Sequence, residues 1–230
     1  KEVACIPMVQ SNQSMESLAS SLSSKHIVFI LDESGSMEDD WPGVVKAYNN
    51  YVDRRLQSQN TLDLVSVVQF SGNARLTVDC QPITSVPNTL NFRKGGTRFS
   101  PAASLGSQAA QKSPASHVPV VIFMSDGEAN DSAQASQTLS QLNSIVLQRY
   151  SSDLELHVIA FGEGADTRQL SDIARASKIG RLHSSTNSNA LSQIFVSIAG
   201  GEDVTSMVES QIGKRISDAV ASKLSAEYMG

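Results

Sequence analysis

The chain has 230 residues, 40% hydrophobic and 18% charged, which is enough for one sizeable core. Its formal net charge of −5 and pI near 5.3 speak against a general binder of nucleic acid or anionic membranes. No stretch approaches the roughly 18–20 consecutive apolar residues of a membrane span, so membrane insertion is not expected.

Residues 1–24 are rich in Ser and Gln. Only Met15, Leu18 and Leu22 form a short helical stripe there, and the segment reads as a flexible leader. The chain opens at Lys1 with neither a methionine nor an apolar signal core, the pattern of a piece excised from something longer. Cys5 and Cys80 do not make a disulfide framework; two free thiols are the expectation, a single bridge the alternative.

From His26 the pattern changes. Short continuous apolar runs at Ile27–Leu31, Leu64–Phe70, Val118–Met124 and Leu156–Phe161 predict strands covered on both faces. Between them lie helical stripes. One comprises Val44, Tyr48, Tyr51, Val52 and Leu56 behind Pro42; another Ala102, Leu105, Ala109 and Ala110 behind Pro101. A third, Leu139, Leu142, Ile145 and Val146, follows the polar stretch Asn130–Ser132. Leu170, Ile173 and Ala174 make a shorter helix, Leu182–Ser184 a last strand, and Leu191, Ile194, Phe195 and Ile198 a closing helix.

Strand and helix alternate, which predicts an α/β fold: a doubly wound, mostly parallel open sheet with helices on both faces. Leu64–Phe70 and Ala74–Cys80 are separated only by Ser71-Gly72-Asn73, too short for a crossover helix. They are expected to form an antiparallel hairpin at the sheet edge.

Beyond residue 200, Val204, Val208, Ile212, Ile216, Val220, Leu224 and Tyr228 recur every fourth residue. Each step overshoots the helical turn by about 40°, so the stripe winds around a helix and does not fit a heptad coiled coil. The organisation read from the sequence is a leader (1–24), one domain (25–200) and an amphipathic helical extension (201–230). The extension is expected to pack on its own domain, leaving the chain monomeric, with dimerisation as the alternative.

The chemistry concentrates at strand ends. In doubly wound sheets ligands bind beyond the carboxyl ends of the strands, where the winding reverses. Asp32, in "ILDESGSM", lies at that end of the first strand, and Asp126, in "FMSDGEAN", at that end of the fourth; "GGTRFS", Gly95 to Ser100, precedes the helix at Pro101. All three loops are expected on one rim. Carboxylates gathered there with hydroxyls need a counter-charge. Oxygen donors without histidine or cysteine suit a hard cation, Mg²⁺, Mn²⁺ or Ca²⁺, and argue against zinc.

Other readings of "DESGSMEDD" fail on detail. An EF-hand loop needs Gly and Glu where Met37 and Gly43 stand, and neither a Gly-x-Ser-x-Gly elbow nor a P-loop occurs. Helix capping by Ser and Asp explains any one loop but not three that converge. His26, His117, His157 and His183 are widely spread and read as structural. Glu38, Asp39 and Asp40 read as a solvated helix start. Arg93, Lys94 and Arg98 either steer an acidic partner to the rim or are plain exposed loop residues.

"DESGS", the Thr of the Gly-Gly-Thr loop and the Asp of the Ser-Asp-Gly turn resemble the three parts of the metal-ion-dependent adhesion site of von Willebrand factor A-type domains, which include the integrin I domains. The resemblance covers roughly Ser24 to Gly200. It implies that Ser34, Ser36 and Thr97 touch the metal, with Asp32 and Asp126 acting largely through bound waters. It further implies Mg²⁺ or Mn²⁺ ahead of Ca²⁺, and a protein partner whose Asp or Glu completes the coordination.

The function so implied is a non-enzymatic interaction module. The rival is the same module as a docking or regulatory part of a larger enzyme, such as a kinase or ubiquitin ligase. Scarce cysteine, and an Asn130 sequon where a glycan would obstruct the rim, tilt the expected compartment towards the cytoplasm over the exterior.

Overall fold

The computed structural model describes residues 24–162 and 164–201. Strand β1 (Ser24–Asp32) leads through a 3₁₀ turn (Gly35–Met37) into α1 (Trp41–Gln57). The hairpin β2 (Leu64–Phe70) and β3 (Ala74–Pro82) follows, then α2 (Phe99–Gln111), β4 (His117–Ser125) and α3 (Ser132–Tyr150). The chain continues through β5 (Glu155–Phe161), α4 (Thr167–Ala174) and β6 (Arg181–Ser185) to α5 (Ser188–Gly200). The leader and the C-terminal stripe lie outside the described residues, except that Ser24 opens β1 and Gly201 caps α5.

The six strands lie in the order β3-β2-β1-β4-β5-β6. Every pairing is parallel except β2 with β3, the expected edge hairpin. The winding reverses at β1, whose neighbours are β2 and β4. Asp32 pairs in register with Phe70, and Leu31 with Met124, so the carboxyl ends of the central strands are level at the switch point.

Both faces of the sheet are covered, which is why the strands read as unbroken apolar runs. Ile27, Phe29 and Leu31 of β1 face the core made with α1 and α5. Val28 and Ile30, one residue out of phase, face the core made with α2, α3 and α4. On the first side Phe29 packs edge-on against Tyr48 and Tyr51 and stacks on Phe195. On the second, Phe70, Phe99 and Phe123 form a triangle with centroids 5.3–6.0 Å apart. Phe99 opens α2 immediately after Thr97 and Arg98, so this triangle fixes the far end of the Gly-Gly-Thr loop.

All four histidines lie on strands. Cys80 has no disulfide partner among the described residues, and Cys5 lies outside them. Among the described residues no helix is long and apolar enough to cross a membrane.

Candidate functional site

Asp32 ends β1 with its side chain wholly buried. Its Oδ1 accepts the backbone N–H of Ser34 at 2.8 Å, an Asx-type turn that swings the chain off the strand. The 3₁₀ turn follows at once, anchored by fully buried Met37. This sets the Ser34 and Ser36 hydroxyls side by side, Oγ to Oγ 3.1 Å. Ser34 is buried beneath, while Ser36 is open to solvent.

Across the sheet, Ser125 Oγ donates to Asp32 Oδ2 at 2.5 Å and accepts the N–H of Gly127 at 3.2 Å. One hydroxyl thus ties the tip of β1 to the turn that carries Asp126. Asp126 Oδ1 is buried and has no hydrogen-bond partner among the described residues. Burial pushes the Asp32 carboxyl up to about 6, with the Asp126 carboxylate adding to the rise; only hydrogen bonds from Ser125 and Ser34 oppose it.

The third loop is laid against the other two. Gly35 N–H donates to Gly95 O at 2.9 Å, and Arg98 N–H to Ser71 O at 2.9 Å. Gly95 has to be glycine here, because a Cβ would come within 2.6 Å of Ser71 Oγ and 2.9 Å of Ser71 Cβ. A Cβ added at Gly127 would lie 3.6 Å from Thr97 Oγ1, so the Thr97 hydroxyl stands beside the Asp126–Gly127 turn. Asp131 then caps α2 from outside that helix. Its carboxylate accepts the N–H groups of Phe99 and Ser100 at 2.9 and 3.1 Å.

Asp32, Ser34, Ser36, Thr97 and Asp126 therefore stand on adjoining turns at one rim. Among the described residues no group of three or more His, Cys, Asp or Glu side chains is placed to hold a metal ion. The rim combines two carboxylates with hydroxyls. Three contributors escaped the sequence reading. Ser125 was hidden as the last residue of an apolar strand. Asp131 lies in the polar stretch Asn130–Ser132 that precedes the third helical stripe, with nothing local to mark it as a cap for another helix. Glu33 stands at a position where the Asp-x-Ser-x-Ser pattern admits any residue, yet it is as deeply buried as Ser34. Of the flanking charges, Lys94 pairs with Glu38 and Arg98 lies 3.5 Å from Asp131.

Residues 26–196 match the von Willebrand factor type A domain family. The match covers most of the chain, and the chain belongs to that family. Comparison with curated protein sequences gives no match. Among solved structures, the proximal thread matrix protein 1 of the mussel byssus is 17% identical, with a TM-score of 0.57 over 75% of this chain and 46% of that one. A von Willebrand factor type A protein from Catenulispora acidiphila is 20% identical, with a TM-score of 0.57 over 77% of this chain and 42% of that one.

The pilus adhesin SpaC of Lactobacillus rhamnosus GG, in its open conformation, is 12% identical, with a TM-score of 0.63 over 78% of this chain and 30% of that one. This chain thus spans less than half the length of each of these neighbours, and at such identities the likeness is one of fold. The mussel protein has also been solved with zinc in its metal-ion-dependent adhesion motif.

Proposed function

We propose that this domain is a non-enzymatic interaction module that binds one divalent cation, Mg²⁺ or Mn²⁺, at the rim and through it an acidic side chain of a protein partner. The observation that carries the reading is the buried, unpartnered Oδ1 of Asp126, on a turn tied to buried Asp32 and bordered by hydroxyls. Two carboxylates so placed, with no basic side chain holding Asp32 down, are costly in the bare protein and fit a cation.

Ser34, Ser36 and Thr97 would hold the ion through their hydroxyls, with Asp32 and Asp126 behind them. When bound, the cation supplies a centre of positive charge that a partner carboxylate can complete. The protein's own part is pre-organisation. The Asp32–Ser34 turn aligns two hydroxyls, Ser125 holds Asp32, and the Gly35–Gly95 bond brings up the Thr97 loop. The oxygen-only donor set favours a hard ion. Zinc in the mussel protein's motif is support for metal in a site of this kind, not for zinc in this chain.

Calorimetric titration of metal-free protein with Mg²⁺, Mn²⁺ and Zn²⁺ tests the reading. One site is expected, filled by Mg²⁺ or Mn²⁺, and lost in the double variant Asp32→Ala with Asp126→Ala. An unchanged isotherm in that variant contradicts it. Once a partner is in hand, chelator and Asp/Glu→Ala changes in its contact segment should each abolish binding. Binding that persists in chelator moves the interface elsewhere on the domain.

A further inference from the structure

Glu33 sits between Asp32 and Ser34, but its partners are Gln69 of β2, Arg75 of β3 and the backbone of Arg93. Its side chain is 2% exposed, and both carboxylate oxygens are occupied. Oε1 accepts Arg75 Nε at 3.0 Å. Oε2 accepts Arg75 Nη2 at 2.7 Å, Gln69 Nε2 at 2.9 Å and the backbone N–H of Arg93 at 2.9 Å. Arg75 and Gln69 each reach further, donating to Asn91 O at 2.5 and 2.8 Å. One buried carboxylate, a guanidinium from the edge strand and an amide from β2 thus grip the short segment 91–93 by the Asn91 carbonyl and the Arg93 N–H.

That segment leads directly to Thr97. Residues 86–98 form no regular structure, so no helix or sheet ladder holds them in place. Downstream of the grip, the loop is tied again at Gly95 O, to Gly35, and at Arg98 N–H, to Ser71 of the hairpin turn. Thr97 lies between these anchors. A bidentate Arg–carboxylate pair fixes direction as well as distance, and here it is shielded from solvent on the carboxylate side.

We infer that Glu33 and Arg75 are positioning residues, forming a latch from the β2–β3 edge hairpin that sets the Thr97 loop before any ion arrives. The latch stands on the bonds above; its consequence for metal affinity rests on the function proposed in the preceding subsection. With both its oxygens engaged, Glu33 is not itself a ligand, and its charge is met by Arg75.

The test compares wild type with Arg75→Lys, which keeps the charge but loses the fork, and with the double variant Glu33→Gln plus Arg75→Met. The double variant removes both charges together and leaves no buried ion unpaired. Amide hydrogen exchange of the metal-free proteins is read at Gly35 and Arg98, which report loop order without touching the latch. Affinity for Mg²⁺ and Mn²⁺ is read by calorimetry.

The latch predicts at least tenfold faster exchange at both amides in the double variant, β4 core amides unchanged, and affinity reduced about tenfold. Arg75→Lys should fall between wild type and double variant. Exchange at Gly35 and Arg98 matching wild type overturns the latch, whatever the metal data show. Faster loop exchange with unaltered affinity also overturns it as a positioning device. If wild type binds neither ion, the proposed function fails and the latch is judged on the exchange arm alone.

Discussion

Both ring nitrogens of His26 are consumed by serines, Nδ1 by Ser113 Oγ at 2.7 Å and Nε2 by Ser66 Oγ at 2.9 Å. Ser113 gives its own proton to Ala110 O, so it accepts from Nδ1–H; Ser66 takes the N–H of Cys80 and is left to donate to Nε2. The network suits the neutral ring. Burial, aided by His117 and Lys112 and opposed only by Asp79, lowers the His26 pKa to about 4.

The sign follows by linkage. Between about pH 6.5 and 4 the unfolded chain takes up a proton that the folded ring refuses, so stability falls as pH falls. The loss attributable to His26 is at most about 3 kcal/mol over that window. Urea unfolding at pH 7 and pH 4.5 should show it, and His26→Gln should flatten the difference. Equal pH dependence in the two proteins would contradict the account. At this scale the sequence revealed residue types better than partners. Asp32, Ser34 and Ser36 were legible because they sit together in one motif. The Ser125 and Arg75 contacts, 93 and 42 residues away from Asp32 and Glu33, were not, because chain folding alone creates them.

Elements were more legible than their joints. The runs at Ile27–Leu31 and Val118–Met124 lie inside β1 and β4, each extended by one to three residues at its ends. Those additions are polar or charged residues, such as Ser24, Lys25 and Ser125, that pair through backbone and leave no apolar trace. The three-residue gap after Phe70 correctly marked β2–β3 as an edge hairpin, because geometry forbids a crossover there. Trans capping of α2 by Asp131 had no local signature.

Another joint carries a test. At Gly180, between α4 and β6, a Cβ would fall 1.9 Å from Ala174 O and 3.0 Å from Ser177 O, both backbone atoms. Gly180→Ala gains up to about 1 kcal/mol from a stiffer unfolded chain. Overpacking costs about 1–3 kcal/mol, and more where backbone itself has to shift. Net destabilisation is expected as a lower urea midpoint; an unchanged or higher midpoint would show that the turn relaxes freely.

At the scale of the molecule, alternation of short apolar runs with amphipathic helices was sufficient to specify a doubly wound sheet, because two-sided burial is what such runs require. The alternating assignment of Ile27, Phe29 and Leu31 to one core and Val28 and Ile30 to the other is its physical expression. The same architecture explains why chemistry sits where it does. Reversal of winding at β1 opens a crevice at the level ends of β1 and β4, and irregular chain there can turn hydroxyls and carboxylates inward without breaking the sheet.

The central claim is that this rim holds a divalent cation on hydroxyl oxygens. Crystals grown with Mn²⁺, measured for anomalous scattering at the manganese edge, address it most directly. The account predicts one strong anomalous peak within roughly 2.0–2.5 Å of the Ser34, Ser36 and Thr97 hydroxyl oxygens. A map with no peak at the rim, or with manganese held elsewhere while these three hydroxyls remain unliganded, would contradict it.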